Sequence, residues 1–229
     1  MSPTQATARL SAPDAVDSGE RRIFMSYDDW LRWPEAESRQ TEWVDGEVIV
    51  FVPPAVPHQH LLWFLGTLLG LFVRRRQLGT LLLAPFEMRL GRVSREPDIL
   101  FVAERHAERL TPQRLIGAAD LAIEIISPDS VQRDRRVKLA EYAAARIPEY
   151  WLIDSRPGAD GADFLTLTDG VYEALPVDPL SRVRSRVLPG FWLGPEWLRR
   201  DPLPDPLDCL GAIAPEAFPG GPRPQSESG

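Results

Sequence analysis

The pattern of hydrophobic and polar positions along the chain predicts two main helices. The longest apolar run extends from Leu61 to Val73. We interpret it as a helix buried in a core, because a membrane span needs about 20 apolar residues. A second helix is predicted from Val131 to Arg146, with Ser130 as its N-cap. Ser26 is expected to cap a short helix over Tyr27–Trp33. We therefore expect a soluble protein with no membrane partner.

Short runs with a period of two, or rich in β-branched residues, predict strands between these helices. Two pairs of runs flank the hairpin signals Asp45-Gly46 and Thr168-Asp169-Gly170. The predicted strands are Thr41–Val44, Glu47–Val52, Thr80–Leu83, Phe86–Leu90, Pro97–Val102, Leu121–Ile126, Tyr150–Ile153, Phe164–Leu167 and Val171–Leu175. This order of elements predicts an α/β fold in which helices flank a mixed central β-sheet.

Composition divides the chain into one domain and two tails. Residues 1–20 are small and polar, and residues 201–229 hold seven of the 23 prolines. We predict that both segments are disordered and that residues 21–200 form the domain. The N-terminus lacks the basic start and apolar run of a signal peptide. The only cysteine, Cys209, excludes an internal disulfide and a four-cysteine zinc site, and a cytoplasmic location is expected.

Two acidic residues lie within predicted strands that are otherwise apolar. Every neighbour of Glu124 in Leu121–Ile126 is hydrophobic, and Asp98 shares a strand face with Leu100 and Val102. A carboxylate in such a strand is costly unless it is paired or binds a metal. The alternatives are a structural salt bridge from Glu124 to an arginine, and a position for Asp98 at a rim or turn.

Lys138 is the only lysine in the chain, whereas arginine accounts for 25 of the 26 basic residues. Asp134, Lys138 and Tyr142 recur at a spacing of four, so they share one helix face. This pattern is compatible with a solvated Asp134–Lys138 pair and a lysine left by chance. It is also compatible with an amine aimed at Asp98 and Glu124. Two acids that hold a divalent cation beside an amine form a site able to cleave phosphodiesters.

The net charge of −7 excludes a basic footprint over the whole protein. Binding of nucleic acid would therefore need a local basic patch or metal ions. The candidates for such a patch are Arg133, Arg135 and Arg136 on the predicted site helix, with His58 as a further phosphate contact. Solvated arginines and a structural or helix-capping histidine are the alternative interpretations.

Several sequence blocks, taken in order, carry a resemblance to a known family. The blocks are Glu42-Trp43-Val44-Asp45-Gly46-Glu47-Val48, Pro57-His58-Gln59, Glu96-Pro97-Asp98-Ile99, Glu124-Ile125-Ile126-Ser127-Pro128-Asp129-Ser130, then Asp134, Lys138 and Tyr142, and finally Pro148-Glu149-Tyr150-Trp151-Leu152-Ile153-Asp154. They span about residues 26–172. The set resembles the PD-(D/E)xK restriction-endonuclease-like superfamily and is similar to its Uma-two branch of bacterial endonucleases.

The resemblance implies a restriction-endonuclease-like fold and a Mg²⁺-dependent endonuclease that hydrolyses DNA. It implies that Asp98 and Glu124, with the backbone carbonyl of Ile125, bind the metal, for which hard oxygen ligands favour Mg²⁺ or Mn²⁺. Glu42 would be an additional catalytic acid, either a metal ligand or a group that orients water, and Lys138 would be the signature lysine that positions or activates the attacking water. A homodimer would suit the cleavage of two strands.

Two positions depart from the superfamily pattern. Ile126 stands where the E-x-K lysine is expected, so the resemblance implies that Lys138 supplies the amine from the following helix. Arg146 stands where the branch often has a glycine that ends this helix in a left-handed conformation, and we expect a different helix ending.

Two other functional classes remain compatible with the sequence. The net charge of −7 favours a catalytically quiet binding or assembly module on a nuclease fold. A metal-dependent hydrolase of small phosphodiesters or other esters is the third hypothesis.

Overall fold

The fold is built from two six-stranded sheets and a small number of helices. The computed structural model describes residues 21–38, 40–51, 53–156, 158–159 and 161–217. The strands are β1 (Arg21–Phe24), β2 (Thr41–Val44), β3 (Glu47–Val50), β4 (Gly79–Leu83), β5 (Glu87–Leu90), β6 (Val93–Arg95), β7 (Ile99–Ala103), β8 (Arg114–Ile116), β9 (Leu121–Ile126), β10 (Glu149–Asp154), β11 (Ala162–Thr168), β12 (Val171–Ala174), β13 (Val183–Arg184) and β14 (Trp192–Leu193).

The helices lie between and after these strands. The α-helices are α1 (Tyr27–Trp30), α2 (Pro34–Ser38), α3 (Val56–Arg76), α4 (Leu139–Ala144) and α5 (Pro206–Ile213), with 3-10 helices at Glu104–Arg109 and Pro195–Arg199. A π-helical segment, Arg133–Lys138, runs directly into α4. We call residues 131–144 the site helix.

The first sheet has the order β1-β3-β2-β6-β5-β8, and the second has the order β12-β11-β10-β9-β7-β4. In the second sheet β9 and β10 pair in parallel and the other neighbours are antiparallel. Helix α3 covers one face of this sheet. The first sheet and the site helix pack against its other face. The predicted α/β fold with a mixed sheet flanked by helices is therefore confirmed.

Alternation along the strands of the second sheet separates two apolar cores. Residues of β7, β9 and β10 that point to α3 include Ile99, Phe101, Ile123, Ile125 and Trp151. Those on the opposite face include Leu100, Val102, Ala122, Ile126 and Leu152. Each large apolar side chain buried in this way contributes about 1.5–3 kcal/mol relative to exposure. Asp98 and Glu124 belong to the second of these faces by the same alternation, as the sequence predicted.

Helix α3 occupies the position predicted for a core helix. It is longer than the apolar run, and its length and composition would also allow it to cross a membrane. In this structure Phe64, Leu65, Leu68 and Phe72 are fully enclosed by the protein. The helix therefore provides the centre of the first core.

Two turns show how local sequence determines the backbone. Asp45 and Gly46 both have positive φ, 49° and 94°, which is the type I′ geometry expected between β2 and β3. Arg146 also has a positive φ of 60°. The expectation of a different ending for the site helix is therefore wrong, because Arg146 itself takes the left-handed conformation. A side chain there costs about 1–2 kcal/mol relative to glycine.

The prediction of a disordered tail is wrong for residues 201–217. Asp205 caps α5 by accepting a hydrogen bond from Leu207 N at 2.7 Å, and Pro206 occupies the first turn, where proline is tolerated. Cys209, Leu210 and Ile213 are buried in the first core, to which α3 also contributes. The domain therefore extends beyond residue 200. Residues 1–20 and 218–229 lie outside the described residues.

The packing of α5 can be tested with two leucines of the same helix. Leu210 is fully buried and Leu207 is 58% exposed. We expect Leu210→Ala to lower the free energy of unfolding by about 2–5 kcal/mol, as is usual for a buried leucine. Leu207→Ala is the matched control and should change stability by less than about 0.5 kcal/mol. Urea unfolding monitored by circular dichroism measures both, and equal effects would contradict the placement of α5.

Candidate active site

The candidate site lies where the chain passes from the first sheet to the second. Strand β6 ends at Arg95 and β7 begins at Ile99, so Asp98 lies in the short crossing segment between the sheets. The pairing of Ile99 with Ile123 places Asp98 beside Glu124 at the same end of β7 and β9. Strand β2 pairs with β6 and brings Glu42 to this crossing. The site helix packs over it from the second core.

Lys138 joins the two sheets through its ammonium group. Its Nζ lies 2.9 Å from Glu124 Oε1 and 3.0 Å from Glu42 Oε1, and it is 3.5 Å from Asp134 Oδ1. Lys138 is only 3% exposed. The alternative of a solvated Asp134–Lys138 pair is therefore wrong, because Lys138 is buried and its shorter contacts are with Glu42 and Glu124. Glu124 pairs with this lysine rather than with an arginine, and its Oε1 also accepts a 2.7 Å hydrogen bond from the Tyr142 hydroxyl.

Glu42 is held from two sides. Its Oε1 faces Lys138 and also accepts a hydrogen bond from Glu96 N at 3.2 Å, while Arg95 Nη1 donates to its Oε2 at 2.7 Å. The remaining guanidinium nitrogens of Arg95 donate to both carboxylate oxygens of Glu141 at 2.7 and 2.8 Å. Arg95 thus ties α4 to Glu42. Sequence reasoning missed Arg95 and Glu141, and the only signal was the position of Arg95 directly before Glu96-Pro97-Asp98.

Asp98 is buried and makes two defined contacts. Its Oδ2 accepts a 2.7 Å hydrogen bond from Ile125 N, and its Oδ1 lies 3.2 Å from His58 Nε2. Asp98 therefore lies in the bend before β7, as the turn alternative had it, but it is buried rather than exposed at a rim. His58 lies inside α3, whose N-cap is Ala55, so it is not the cap of that helix. His58 Nδ1 is buried with no hydrogen-bond partner within the described part of the chain.

Burial and neighbouring charges shift the pKa values of three carboxyl groups of the site. Burial raises the pKa of Glu124 well above its usual value. The positive charge of Lys138 lowers this pKa, and the negative charges of Asp134 and Asp98 raise it. Burial and the charge of Glu42 raise the pKa of Glu96 to about 8. The pKa of Glu42 is lowered, because Lys138 and Arg95 overcome the opposing effect of its burial. Burial therefore dominates at Glu124 and Glu96, whereas the two cations together outweigh burial at Glu42.

The site helix begins at Val131, as predicted, and Asp134 N donates its first backbone hydrogen bond to Ser130 O at 2.9 Å. Ser130 Oγ accepts a hydrogen bond from Ser127 N at 3.0 Å, so Ser130 closes the turn before the helix rather than capping its amides. The helix then widens into the π-helical segment, a feature that is frequent at functional sites. This segment buries Asp134 and Lys138 together.

The three arginines predicted on this helix have different surroundings. Arg133 packs over the ring of Phe51, with its guanidinium carbon 4.5 Å from the ring centroid. Arg135 forms ion pairs with Asp163 and Asp154. Arg136 is exposed. The arrangement therefore brings one of the three arginines to the site.

The side chains of the site include oxygen atoms that a divalent cation would bind. Among the described residues, no group of three or more His, Cys, Asp or Glu side chains is arranged to hold a metal ion. The chemistry of the donors nevertheless fits Mg²⁺, because buried carboxylates at Asp98 and Glu124 are hard oxygen ligands. Glu96 Oε2 is buried and has no hydrogen-bond partner among the residues that the structure describes. In a strand the N–H and C=O of one residue face the same neighbour, so the Ile125 carbonyl points to the side of Asp98.

Comparison with known proteins finds one matching family and one similar solved structure. A family model described as "Putative restriction endonuclease" (Uma2, the Uma-two branch named above) matches residues 27–196. A solved structure of a putative nuclease belonging to DUF820 from Anabaena variabilis ATCC 29413 superimposes with a TM-score of 0.62. It is 21% identical and covers 76% of this chain and 97% of its own, which shows a common fold. No curated protein matches the chain significantly.

Glu96 should make stability depend on pH. Its pKa is about 8 in the folded protein and near 4.5 when unfolded, so the folded state holds the proton more tightly. The stabilisation is complete below pH 4.5 and is lost as pH rises through about 8. We expect Glu96→Gln to remove this loss, on the order of a few kcal/mol. Urea unfolding of both proteins in EDTA across this range measures the difference, and parallel curves would contradict it.

The coupling between Lys138 and Glu42 can be measured with a double-mutant cycle. Lys138→Met alone should cost about 3–5 kcal/mol, because it leaves buried carboxylates without their cation. In the Lys138→Met/Glu42→Gln protein the loss should be smaller than the sum of the single losses by about 1–3 kcal/mol. Glu173→Gln, at an exposed position of β12, is the control and should be additive with Lys138→Met. Additivity of the Glu42 pair in urea unfolding would show that the two groups are not coupled.

Proposed function

Because the chain belongs to the Uma2 family, whose description is putative restriction endonuclease, we propose that it is a Mg²⁺-dependent endonuclease that hydrolyses phosphodiester bonds of DNA. The observation that carries this proposal is the ammonium of Lys138 held within 3.0 Å of both Glu42 and Glu124, beside the buried Asp98. An amine and several carboxylates in one buried cluster are the groups that phosphodiester hydrolysis requires.

The proposed metal ligands are Asp98, Glu124 and the backbone carbonyl of Ile125. Mg²⁺ is the proposed ion, and Mn²⁺ is a possible substitute because both prefer oxygen ligands. When bound, the ion would polarise the phosphate and lower the pKa of a bound water. Asp98 is oriented for this role by the Ile125 amide and by His58. The burial of these groups keeps bulk water from competing for them.

Lys138 acts in this proposal as a permanent cation. Burial opposes its charge, but Glu124 and Glu42 more than compensate, and they raise the pKa of the ammonium above its usual value. A group held so firmly in its charged form is a hydrogen-bond donor rather than a general base. Its proposed role is to orient the attacking water and to stabilise negative charge on the phosphorane. A compact ammonium with three donors suits this role better than a planar guanidinium.

Glu42 has a positioning role in the proposal. It is fully buried and its charge is maintained by Lys138 and Arg95. One of its carboxylate oxygens directs Lys138, and the other is occupied by Arg95. Glu42 therefore determines where the amine points, and it is the additional acid of the site.

DNA is the proposed partner, and a homodimer in the cytoplasm is the proposed state. Two copies of the site are needed to cut both strands of a duplex in one encounter. The net charge of −7 means that DNA must be attracted locally, because affinity for DNA depends on cationic contacts with phosphates.

A second candidate function is favoured by the position of the ammonium. Lys138 occupies the space between Glu42 and Glu124. In this position the negative charges of both carboxylates stabilise a cation. A protein whose own lysine neutralises these acids could be a catalytically quiet binding or assembly module on a nuclease fold.

The nuclease proposal is tested by cleavage of supercoiled plasmid DNA in the presence of Mg²⁺ or Mn²⁺. We expect Asp98→Asn and Lys138→Met each to lower the cleavage rate by about 10²–10⁴-fold. Asp169→Asn, in the exposed turn between β11 and β12, makes the same chemical change outside the site and should cleave like the wild type. Circular dichroism shows whether each variant is folded at the assay temperature. Full activity of folded Lys138→Met would overturn its proposed role.

Calorimetric titration with Mg²⁺ and Mn²⁺ separates the two candidate functions. A nuclease should bind metal in the wild type and lose this binding in Asp98→Asn. A wild-type protein that binds neither ion at millimolar concentration, and that leaves plasmid DNA intact, would favour the quiet module.

A further inference from the structure

The two six-stranded sheets have four edge strands, and one of these strands differs from the others. Strands β1, β8 and β12 each contain at least one charged residue. Strand β4, Gly79–Leu83, contains neither a charged residue nor a proline. Charges and prolines on an edge strand are common means of preventing its pairing with another chain. Of these four edges, β4 is therefore the one without such protection.

The outer side of β4 presents backbone groups in the arrangement that strand pairing needs. Strand β4 pairs with β7 on one side, and Leu78 and Ala84 make backbone hydrogen bonds with the residues that flank β7. Because hydrogen-bonded positions alternate along an antiparallel pair, Leu81 and Leu83 direct their N–H and C=O groups away from β7. Leu83 is also 42% exposed, whereas every residue of β7 is buried.

Helix α3 lies beside this edge and leaves part of its apolar surface uncovered. Only 44% of its most apolar 18-residue stretch is buried within this chain, and the run Leu61–Val73 contains no charged residue. Leu83 packs against Gly66, where an added Cβ would lie 3.2 Å from Leu83 Cδ2. Trp63, one turn earlier on the same helix face, is 64% exposed. We call strand β4 together with Trp63 and Gly66 the β4 surface.

A groove with a volume of about 680 Å³ lies at the other end of the β4 surface. Its lining includes Gly70, Arg74, Gly79, Leu81 and Glu104. The exposed side chains of Leu83 and Trp63 thus stand at one end of β4, and a groove lined partly by glycines lies at the other. A surface of this shape is complementary to itself when two copies are related by a twofold axis.

We propose that the β4 surface binds a second copy of this chain, with the two β4 strands paired antiparallel about a twofold axis at Leu81. The inference deepens the homodimer of the proposed function and rests on it. In this symmetric register Leu83 of each copy lies opposite Gly79 of the other copy, beside the groove. The pairing satisfies the outward backbone groups of both strands and joins two six-stranded sheets into one of twelve strands.

The proposed pairing also determines where the two catalytic clusters lie. The axis is perpendicular to the joined sheet, so both copies of Asp98 are on the same face. Asp98 lies beside Ala84, three residues beyond Leu81 and one strand further from the axis. With about 3.4 Å per residue and about 4.8 Å between strands, the two Asp98 Cα atoms are about 25 Å apart. Both sites then face one side of the dimer, as the cleavage of two strands of a single duplex requires.

The oligomeric state of the full chain tests the interface. Sedimentation velocity at micromolar concentrations should give a mass twice the 25.7 kDa of one copy. Leu83→Lys should raise the dissociation constant of the dimer by about 10²-fold or more, because each dimer would bury two charges and lose two leucine contacts. Val171→Lys is the matched control and should leave the dimer intact. It introduces the same charge at a 65% exposed position of β12, the opposite edge of the same sheet.

A cysteine at the axis tests the register separately. In Leu81→Cys the two thiols belong to residues that face each other across the axis, with Cα atoms about 5.5 Å apart, which a disulfide allows. Oxidised glutathione should convert this variant into a covalent dimer on a non-reducing gel, whereas Val171→Cys should remain a single chain. The natural Cys209 should not interfere, because it is buried and burial raises the pKa of its thiol to about 11.

The outcomes separate this inference from the nuclease activity. A monomeric wild type overturns the inference even if it cleaves plasmid DNA, and so does a folded Leu83→Lys that dimerises like the wild type. If Leu83→Lys does not fold by circular dichroism, the absence of a cross-link in Leu81→Cys overturns the inference instead. A dimer that depends on Leu83 and cross-links through Leu81→Cys supports the inference even if the protein never cleaves DNA with Mg²⁺ or Mn²⁺. A monomer that binds phosphatidylcholine vesicles would assign the β4 surface to a membrane and would also overturn the inference.

Discussion

The buried ammonium of Lys138 is the interaction on which the arrangement of the site depends. It bridges Glu42 of the first sheet and Glu124 of the second. One positive charge therefore joins two layers that are also connected by packing and by several chain crossings, one of them at Asp98. Burying so many charges is costly, and it is tolerated because each carboxylate that stays ionised faces a cation or a hydrogen-bond donor. Arg95 likewise forms ion pairs with two carboxylates, Glu42 and Glu141. The two cations together define the positions of the acids.

The fold explains why these groups meet. The chain leaves β6 at Arg95 and enters β7 at Ile99, so the residues between them lie at the junction of two sheets, where strand alternation no longer directs every side chain into an apolar core. Glu96 and Asp98 occupy this junction with Glu124 beside them. Burial is the main reason that the pKa values of Glu96 and Glu124 are raised, and neighbouring carboxylates raise them further. A cation bound beside these groups would favour their ionised forms, and this property connects the electrostatics of the site to the proposed metal.

The source of the amine follows from the packing of β9. Ile126 lies on the same strand face as Glu124 but is fully buried in the second core, so this position serves packing. The amine comes instead from the site helix, whose π-helical turn buries Lys138 and Asp134 together. The same widened turn begins with Arg133, over Phe51. One helical segment therefore contributes the amine and the acid buried beside it.

The sequence by itself determined the elements whose signals are local. The apolar run of α3, the Asp45-Gly46 hairpin and the strand β9 were predicted because neighbouring residues alone decide them, and Glu124 and Lys138 stood out because a charge in an apolar strand and a single lysine are visible without a structure. The tertiary structure decided what depends on distant partners. Strands β6 and β8 have three residues each and are too short to show a period. The tail was predicted as disordered from its prolines, although α5 is stabilised by packing against α3. Arg95 and Phe51 resemble many other residues of their kind, since an ion pair or a ring contact between segments far apart in the chain exists only once the two sheets have formed.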